Sequence, residues 1–259
     1  MLTKEYIGSL ENRLSMLPGK VSMVYKSLVS DEAFTFCPNE KLIAASVIKL
    51  PMMITLFRMA ENGEIDWNEE FTVGHDVKVP SCGALTYLHD GLKVTLRDLC
   101  VLMIIVSDNT ATNMVFDRIG CDRVNETLRM FGCNDTTLRR KMFDSVSARK
   151  GIQNHITAGE IASLLEKMAK SQLISTEADR EMMNILLDQR INGKIPFFID
   201  SMDIDVAHKT GEDSGTTHDV AVVFAEKPFV LCFASNETDV PAFERLMQDI
   251  ALELVQKNM

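Results

Sequence analysis

The spacing of hydrophobic positions changes along the chain and divides it into three stretches. The N-terminal segment MLTKEYIGSLENRLSML has apolar residues at helical spacing and predicts an amphipathic helix. Two runs with strand chemistry follow, at Lys20 to Leu28 and Ala33 to Cys37, with a polar turn between them at Ser30 to Glu32. This first stretch therefore predicts a helix followed by a β-hairpin.

The second stretch, from about Ala45 to Leu187, is mostly helical in its pattern. Thr95 and Asp98 have the spacing of a capping box in which Asp replaces Glu, and Gly120 is a typical helix end. The predicted helical segments, separated by glycine-bearing loops, include Leu96 to Val106, Ala111 to Ile119 and Ala158 to Ala169.

Strand chemistry returns beyond Pro196, with a turn at Glu226 to Pro228. A tail from Ala242 to Lys257 then has apolar residues at helical spacing and can cover one face of a sheet. The predicted strands are Val206 to Thr210, Asp219 to Ala225 and Phe229 to Ala234. Strands at both ends predict a sheet domain (residues 1–45 and 190–259) with a helical domain (46–189) inserted, and a site in the cleft between them.

Composition excludes several classes of function. The chain has 259 residues, 46% of them hydrophobic, which is enough for a substantial core. The net charge is -10 and basic residues form no run, so neither nucleic acid nor an anionic membrane surface is an expected partner. We expect a small-molecule substrate instead.

The N-terminus and the cysteines bear on the compartment. Glu5 and Glu11 interrupt the apolar stretch that a secretory signal needs, and no later segment has the roughly 18 apolar residues of a membrane span. We therefore expect a cytoplasmic protein, with a trimmed secretion signal as the alternative. The six cysteines lack the paired spacing of a zinc site, so we expect free, mainly buried thiols and no metal or cofactor.

The first candidate chemical element lies in the segment ASVIKLPMM. Ser46 and Lys49 are three residues apart at the start of a predicted helix, so both side chains lie on one face. A lysine can accept the hydroxyl proton if burial or neighbouring cations lower its pKa. By itself the pair is weak, because roughly one such spacing occurs by chance in a chain of this length. An ordinary helix is the alternative.

The second element, Ser107-Asp108-Asn109, falls where one apolar helix ends and the next begins. The Ser107 hydroxyl could relay a proton to a leaving nitrogen, and the Asn109 amide could hold both substrate and lysine. The structural alternative is an N-cap for the following helix, a role that suits Asp108.

The third element is Lys209-Thr210-Gly211 on a predicted strand. Glycine lets a ligand approach the strand backbone, while the ammonium and hydroxyl can bind a substrate carboxylate. A strand-end turn is the alternative. His218 follows and could line the cleft, although a single polar histidine in a loop is more typical of a solvated or capping residue.

Together, in this order, the three elements resemble those of class A β-lactamases and the related penicillin-binding proteins. The resemblance covers essentially the whole chain. It implies an α+β fold of three layers (α/β/α), an antiparallel sheet built from both termini with an inserted all-helical domain, and an acyl-enzyme on Ser46. It also implies an oxyanion hole formed by the backbone N–H groups of Ser46 and Glu212.

The chain departs from this family in the segment LRRKMFDSV. Class A enzymes have a glutamate there that activates the deacylating water, and an asparagine four residues later. The matching positions are Met142 and Val146, which cannot activate or hold water, and Asp144 is the nearest candidate base. The strand from Phe229 to Ala234 also lacks the arginine with which many relatives bind the substrate carboxylate.

Three hypotheses follow from the sequence. The first is a serine hydrolase that attacks a β-lactam, amide or ester through Ser46, with weak β-lactam turnover. The second is a penicillin-binding protein whose acyl-enzyme persists because deacylation stalls. The third is a non-catalytic binding protein of the same fold, which the presence of Ser46, Lys49, Ser107 and Lys209 disfavours.

Overall fold

The computed structural model describes residues 2–80 and 82–259, which form helices and strands as follows. The helices are α1 (Lys4–Ser15), α2 (Lys49–Glu61), α3 (Leu96–Ile105), α4 (Asn109–Met130), α5 (Ser145–Arg149), α6 (Ala158–Ala169), α7 (Thr176–Leu187) and α8 (Val240–Lys257). The strands are β1 (Lys20–Ser27), β2 (Ala33–Phe36), β3 (Leu42–Ile43), β4 (Glu70–Val73), β5 (Leu92–Thr95), β6 (His155–Ile156), β7 (Val206–Asp213), β8 (Thr216–Val223) and β9 (Phe229–Asn236).

The main sheet joins the two ends of the chain. Its strand order is β2-β1-β9-β8-β7, and each neighbouring pair is antiparallel. The central pair aligns Lys20 with Asn236 and Ser27 with Phe229, so the N-terminal hairpin lies directly beside the last strand. The expected antiparallel sheet assembled from both termini is confirmed, whereas the exact division into two domains stays a prediction.

Strand β9 separates two hydrophobic cores. Its residues alternate in direction, as the period of a strand requires. Phe229, Leu231 and Phe233 belong to the core shared with α1 and α8, and Val230 and Cys232 belong to the core shared with the helices on the opposite face. Both faces of the sheet are therefore covered, which explains why β9 is buried throughout and apolar from Phe229 to Ala234.

Local signals set several helix ends as the sequence predicts. Thr95 and Asp98 form a reciprocal capping box at the start of α3, and α6 has the predicted bounds. Gly120 has a φ of 72° and interrupts α4, but the chain resumes helical geometry after it. The expectation that Gly120 ends a helix is therefore confirmed, and a second helical segment begins directly after it.

The predicted helical stretch also contains short strand pairs that the hydrophobic pattern does not reveal. β3 pairs with β6, aligning Leu42 with Ile156, and β4 pairs with β5. The β3–β6 pair brings the chain just before Ser46 close to the loop before α6. Its partners are more than a hundred residues apart, so no local pattern predicts the pairing.

The cysteines are only partly as expected. Cys100, Cys133 and Cys232 are buried, whereas Cys37 and Cys82 are exposed.

Across residues 2–80 and 82–259, no helix combines the length and the apolar character needed to cross a membrane.

The carboxylate of Asp108, in the second sequence element, links the start of α4 to the loop at Ala84 and Leu85. Its Oδ2 accepts hydrogen bonds from the backbone N–H groups of Ala84 (2.7 Å) and Leu85 (2.8 Å). Its Oδ1 accepts one from Ala111 N (2.9 Å), so Asp108 is the N-cap of α4, as predicted. Gly83 packs against this carboxylate so closely that an added Cβ would lie 2.3 Å from Asp108 Cγ.

We predict that Asp108→Ala lowers the free energy of unfolding by about 3 kcal/mol or more, because three N–H groups lose a charged acceptor in a buried site. Urea denaturation followed by circular dichroism measures this loss. The matched control is Asp239→Ala, which removes an exposed N-cap of α8. It should cost only about 1 kcal/mol. Equal losses in the two variants would contradict the tethering role of Asp108.

Candidate active site

Three segments distant in sequence meet at one place. Ser46 lies in a 3₁₀ turn at Ala45–Ile48, and Lys49 follows as the first residue of α2. Ser107 lies in the turn between α3 and α4, and Asn109 begins α4. Lys209 lies on β7, the edge strand of the main sheet. The site is therefore built from a helix start, an interhelical turn and a strand.

Two lysine amines converge on the Ser107 side chain. Lys49 Nζ lies 3.0 Å and Lys209 Nζ 3.1 Å from Ser107 Oγ. Lys49 Nζ also donates to Ser107 O (2.8 Å) and Asn109 Oδ1 (2.8 Å), while Lys209 Nζ donates to Thr210 O (2.9 Å). Each of the three sequence elements thus contributes to one hydrogen-bond network.

Both amines are fully buried, with 0% of either residue exposed. Burial lowers the pKa of Lys49 well below its usual value of 10.5, and the charge of Lys209 lowers it further. Burial also lowers the pKa of Lys209, to about 7, although the carboxylate of Asp219 opposes this shift. Both shifts favour the neutral form of Lys49, in which the amine has a lone pair available for a proton.

Ser46 is half-buried and lines a cleft of about 470 Å³. Among the residues that the structure describes, Ser46 Oγ has no hydrogen-bond partner, and Lys49 is joined to Ser46 through its backbone N–H and the Ser46 carbonyl. The preceding residue, Ala45, has a φ of 42°, a strained backbone conformation for a residue with a Cβ. Such strain at the residue before a candidate nucleophile is typical of functional turns.

Strand β7 packs directly against the backbone of Ser46. A Cβ added at Gly211 would lie 3.3 Å from Ser46 N, 3.1 Å from Val47 Cγ2 and 2.9 Å from His218 Cδ2. A side chain at Gly211 would crowd these atoms, so glycine permits this approach of the chain's own backbone, whereas the expected approach of a ligand at Gly211 stays a prediction. This contact brings the backbone around Gly211 and Glu212 close to Ser46. Ser46 and Glu212 are the two residues whose N–H groups were expected to form an oxyanion hole.

Lys194 supports this end of β7 and was not found from the sequence. Its side chain is only 3% exposed, and Nζ donates to the carbonyl groups of Gly211 (3.3 Å) and His218 (3.2 Å). It also forms ion pairs with Glu212 (3.0 Å) and Glu244 (3.7 Å). A single lysine in a loop carries no motif that could have revealed this role.

The expectation that His218 is a solvated or capping residue is wrong. The residue is fully buried, with Nε2 at 2.8 Å from Ile43 O and Nδ1 accepting from Ser235 N at 3.1 Å. Burial lowers its pKa to about 4, so the ring is neutral at physiological pH and its hydrogen bonds fix one tautomer. It joins β8, β9 and β3 behind the cleft.

The opposite wall of the cleft is the loop that departs from the family pattern. Met142 and Asp144 both line the cleft with Ser46. Asn113 holds the Met142 backbone through two hydrogen bonds, from Met142 N (2.8 Å) and to Met142 O (3.0 Å). Val146 is 55% exposed and is not among the lining residues.

Asp144 is the N-cap of α5. Its Oδ1 accepts a hydrogen bond from Ser147 N at 2.9 Å, and bonding to Ser147 lowers the pKa of the carboxyl group. The carboxylate is therefore occupied by a structural contact while it borders the cleft.

In the described parts of the chain, no group of three or more His, Cys, Asp or Glu side chains is placed to hold a metal ion.

Comparisons with known proteins agree with this architecture. A solved β-lactamase from Sphaerobacter thermophilus DSM 20745 is 28% identical, with a TM-score of 0.91 over 99% of this chain and 98% of that one. An acyl-enzyme complex of a PBP-A variant with penicillin G is 22% identical, with a TM-score of 0.84 over 98% and 94%. An ancestral class A β-lactamase is 20% identical, with a TM-score of 0.84 over 98% of each chain.

The two structures of lower identity show a shared fold. Residues 5–257 match the family described as the Beta-lactamase enzyme family, which is nearly the whole chain. The protein therefore belongs to the Beta-lactamase enzyme family and is a serine β-lactamase-like hydrolase.

Proposed function

We propose that the protein forms an acyl-enzyme on Ser46 from a β-lactam, amide or ester and releases it slowly. The observation that carries this proposal is the network in which Lys49, Ser107 and Lys209 share hydrogen bonds beside the Ser46 cleft. A binding protein without chemistry gains nothing from burying two amines, since their desolvation is costly.

The acylation step uses the two amines in different protonation states. Neutral Lys49 takes the proton of Ser46 Oγ, which attacks the substrate carbonyl carbon. The backbone N–H groups of Ser46 and Glu212 would bind the developing oxyanion. The bond from the carbonyl carbon to the leaving nitrogen or oxygen then breaks, and the proton passes from Lys49 through Ser107 Oγ to the leaving atom.

Residues of β7 would bind the leaving-group side of the substrate. Lys209 and Thr210 would receive a carboxylate on the leaving-group side, which is favoured because a carboxylate partner stabilises the Lys209 ammonium. Asn109, which already accepts from Lys49, would hold the amide of the acyl side through its side-chain N–H₂.

Deacylation is the step that this site supports poorly. Met142 occupies the cleft position where class A enzymes have a glutamate, and a thioether cannot take a proton from water. Asp144 is a weak candidate base, because an efficient general base has a pKa near the working pH and that of Asp144 is lowered. A persistent acyl-enzyme is therefore expected, as in a penicillin-binding protein.

The first test is incubation with penicillin G and a chromogenic cephalosporin, with hydrolysis and intact protein mass recorded together. We expect a persistent adduct on Ser46 with slow colour formation, and neither in Ser46→Ala. Rapid turnover that Ser46→Ala abolishes would support an efficient β-lactamase instead. If β-lactams and activated esters all leave the mass unchanged, the protein is a non-catalytic binding member of the fold.

The pH profile of acylation should depend on the charge of Lys209. Because Lys49 acts as the neutral amine, acylation accelerates as the pH rises through its pKa. Lys209→Met removes the neighbouring cation that helps to lower this pKa, so the accelerating limb should move to higher pH. A neutral activated ester is the probe, since it does not need Lys209 for binding. An unchanged profile would contradict the coupling of the two amines.

A carboxylate at position 142 should accelerate hydrolysis of the acyl-enzyme. We predict that Met142→Glu raises the rate of acyl-enzyme hydrolysis by roughly 10²-fold, the typical lower contribution of a general base. Met142→Gln is the matched control, with similar size and polarity but no base, and it should leave the adduct as persistent as in the wild type. Single-turnover decay of the penicilloyl adduct measures both. Equal decay rates in the two variants would refute the account of slow deacylation.

A further inference from the structure

The cleft around Ser46 has an acidic mouth. Three carboxylates line it, Asp144 on the loop before α5 and Glu212 and Asp213 at the end of β7, whereas Arg140 is the cationic side chain among its lining residues. Glu212 and Asp213 are exposed, so their charges face solvent at the entrance. A ligand that enters meets more negative than positive charge.

The nearby cations leave this imbalance in place. Arg140 is held by Gln153 Oε1, at 3.0 Å from Nε and 2.7 Å from Nη2, and it also donates to Lys141 O. Lys194 is buried behind β7 and is shared between Glu212 and Glu244, so one lysine faces two carboxylates.

The other two carboxylates carry no ion pair in the described residues. Asp213 Oδ1 accepts from Ser214 N at 2.8 Å, and Asp144 Oδ1 accepts from Ser147 N. These hydrogen bonds come from neutral N–H groups, and Arg140 only partly offsets the charge of Asp144. Both side chains can therefore attract a cation in the cleft.

The loop wall adds an apolar surface beside these charges. Phe143 lines the cleft with half of its surface exposed and has a φ of 61°, a costly conformation for an aromatic residue. Met142 and Ala148 line the same wall. An exposed ring held in a strained backbone next to a nucleophile suits contact with an apolar or aromatic ligand group.

The leaving group and the acyl group of a substrate would contact different residues of the site. Lys209 is buried next to Ser107, where it would face the leaving group, whereas Asp213, Asp144 and Phe143 line the cleft and are at least partly exposed. The part of the substrate that stays on Ser46 as the acyl group would extend toward that entrance. Its preferred charge would then be the opposite of that of the leaving group.

We infer that the site selects substrates whose acyl group combines an apolar or aromatic body with a cation, such as an ammonium group. This inference rests on the proposed function and names the substrate class of the same site. The cation would pair with Asp213 and Asp144, and the apolar body would pack on Phe143. Acidic residues at a cleft entrance also raise the rate of encounter with cationic ligands.

A matched series of penicillins tests the charge preference. Ampicillin, penicillin G and carbenicillin share the bicyclic nucleus and the phenyl ring, and they differ in carrying an α-ammonium, no charge or an α-carboxylate on the acyl group. The second-order rate constant for Ser46 acylation is measured for each by intact mass, in mildly acidic buffer of low salt. We expect ampicillin to react roughly three- to tenfold faster than penicillin G, and carbenicillin slower by a similar factor.

A charge variant assigns the preference to the cleft. In Asp213→Asn the ratio of ampicillin to carbenicillin should fall by roughly two- to fivefold. Glu177→Gln is the matched control, because it removes the same charge from α7, outside the Ser46 cleft, and should leave the ratio unchanged. Added salt should also reduce the ratio in the wild type, since screening weakens exposed charges.

The failures of the two proposals are distinguishable. Equal rates for the three penicillins, or faster reaction of carbenicillin, would overturn the charge preference while the acyl-enzyme on Ser46 stands. A ratio that falls equally in Asp213→Asn and Glu177→Gln would show that net protein charge, and not the cleft, sets the preference. If none of the three penicillins modifies Ser46, the proposed β-lactam reaction fails, and the charge preference fails with it.

Discussion

The burial of two lysine amines around one hydroxyl is the constraint on which the site depends. Both amines lie about 3 Å from Ser107 Oγ, so as ammonium ions they would be at most about 6 Å apart. They would repel each other by roughly 3 kcal/mol or more at an effective dielectric constant near 20, in addition to the cost of removing both from water. The protein avoids most of this cost when one amine is neutral. The lowered pKa of Lys49 favours this residue as the neutral amine.

The hydrogen bonds of Ser107 are consistent with one neutral amine beside one ammonium ion. A neutral amine has two N–H donors and one lone pair, and Lys49 Nζ has three oxygen neighbours at 2.8, 2.8 and 3.0 Å. Lys49 Nζ donates to Ser107 O, Asn109 Oδ1 and Ser107 Oγ, and after losing one proton it keeps two of these hydrogen bonds and has a lone pair for the Ser46 hydroxyl. Ser107 Oγ can then accept from the Lys209 ammonium, so that one hydroxyl connects the cation to the base.

Much of the site and fold could be predicted from sequence because the signals are local. The capping box at Thr95 and the bounds of α6 depend on residues within one helical turn, and the identities of Ser46, Ser107 and Lys209 follow from short motifs. Their convergence, the family and the antiparallel pairing followed from resemblance, whereas the sheet built from both termini followed from the pattern of predicted strands. The resemblance also located Met142, whose cleft position the structure shows.

What sequence reasoning missed depends on contacts between distant segments. Lys194 gains its role from β7 and from Glu244 on α8, and His218 is buried only because β3 and β9 supply partners for both ring nitrogens. Ala45, which has a positive φ, likewise lies in the turn between β3 and α2. No property of these residues alone distinguishes them from ordinary surface positions.

Under the proposed function, the same chain of contacts would make acylation and deacylation separable. Acylation needs Lys49, Ser107 and β7, which are buried and fixed by the core and by the Asp108 tether. Deacylation needs a base on the loop wall, which is held by Asn113 and by the short helix α5. Because a few side chains on that loop decide whether water is activated, the loop can change the lifetime of the acyl-enzyme without disturbing the network that forms it.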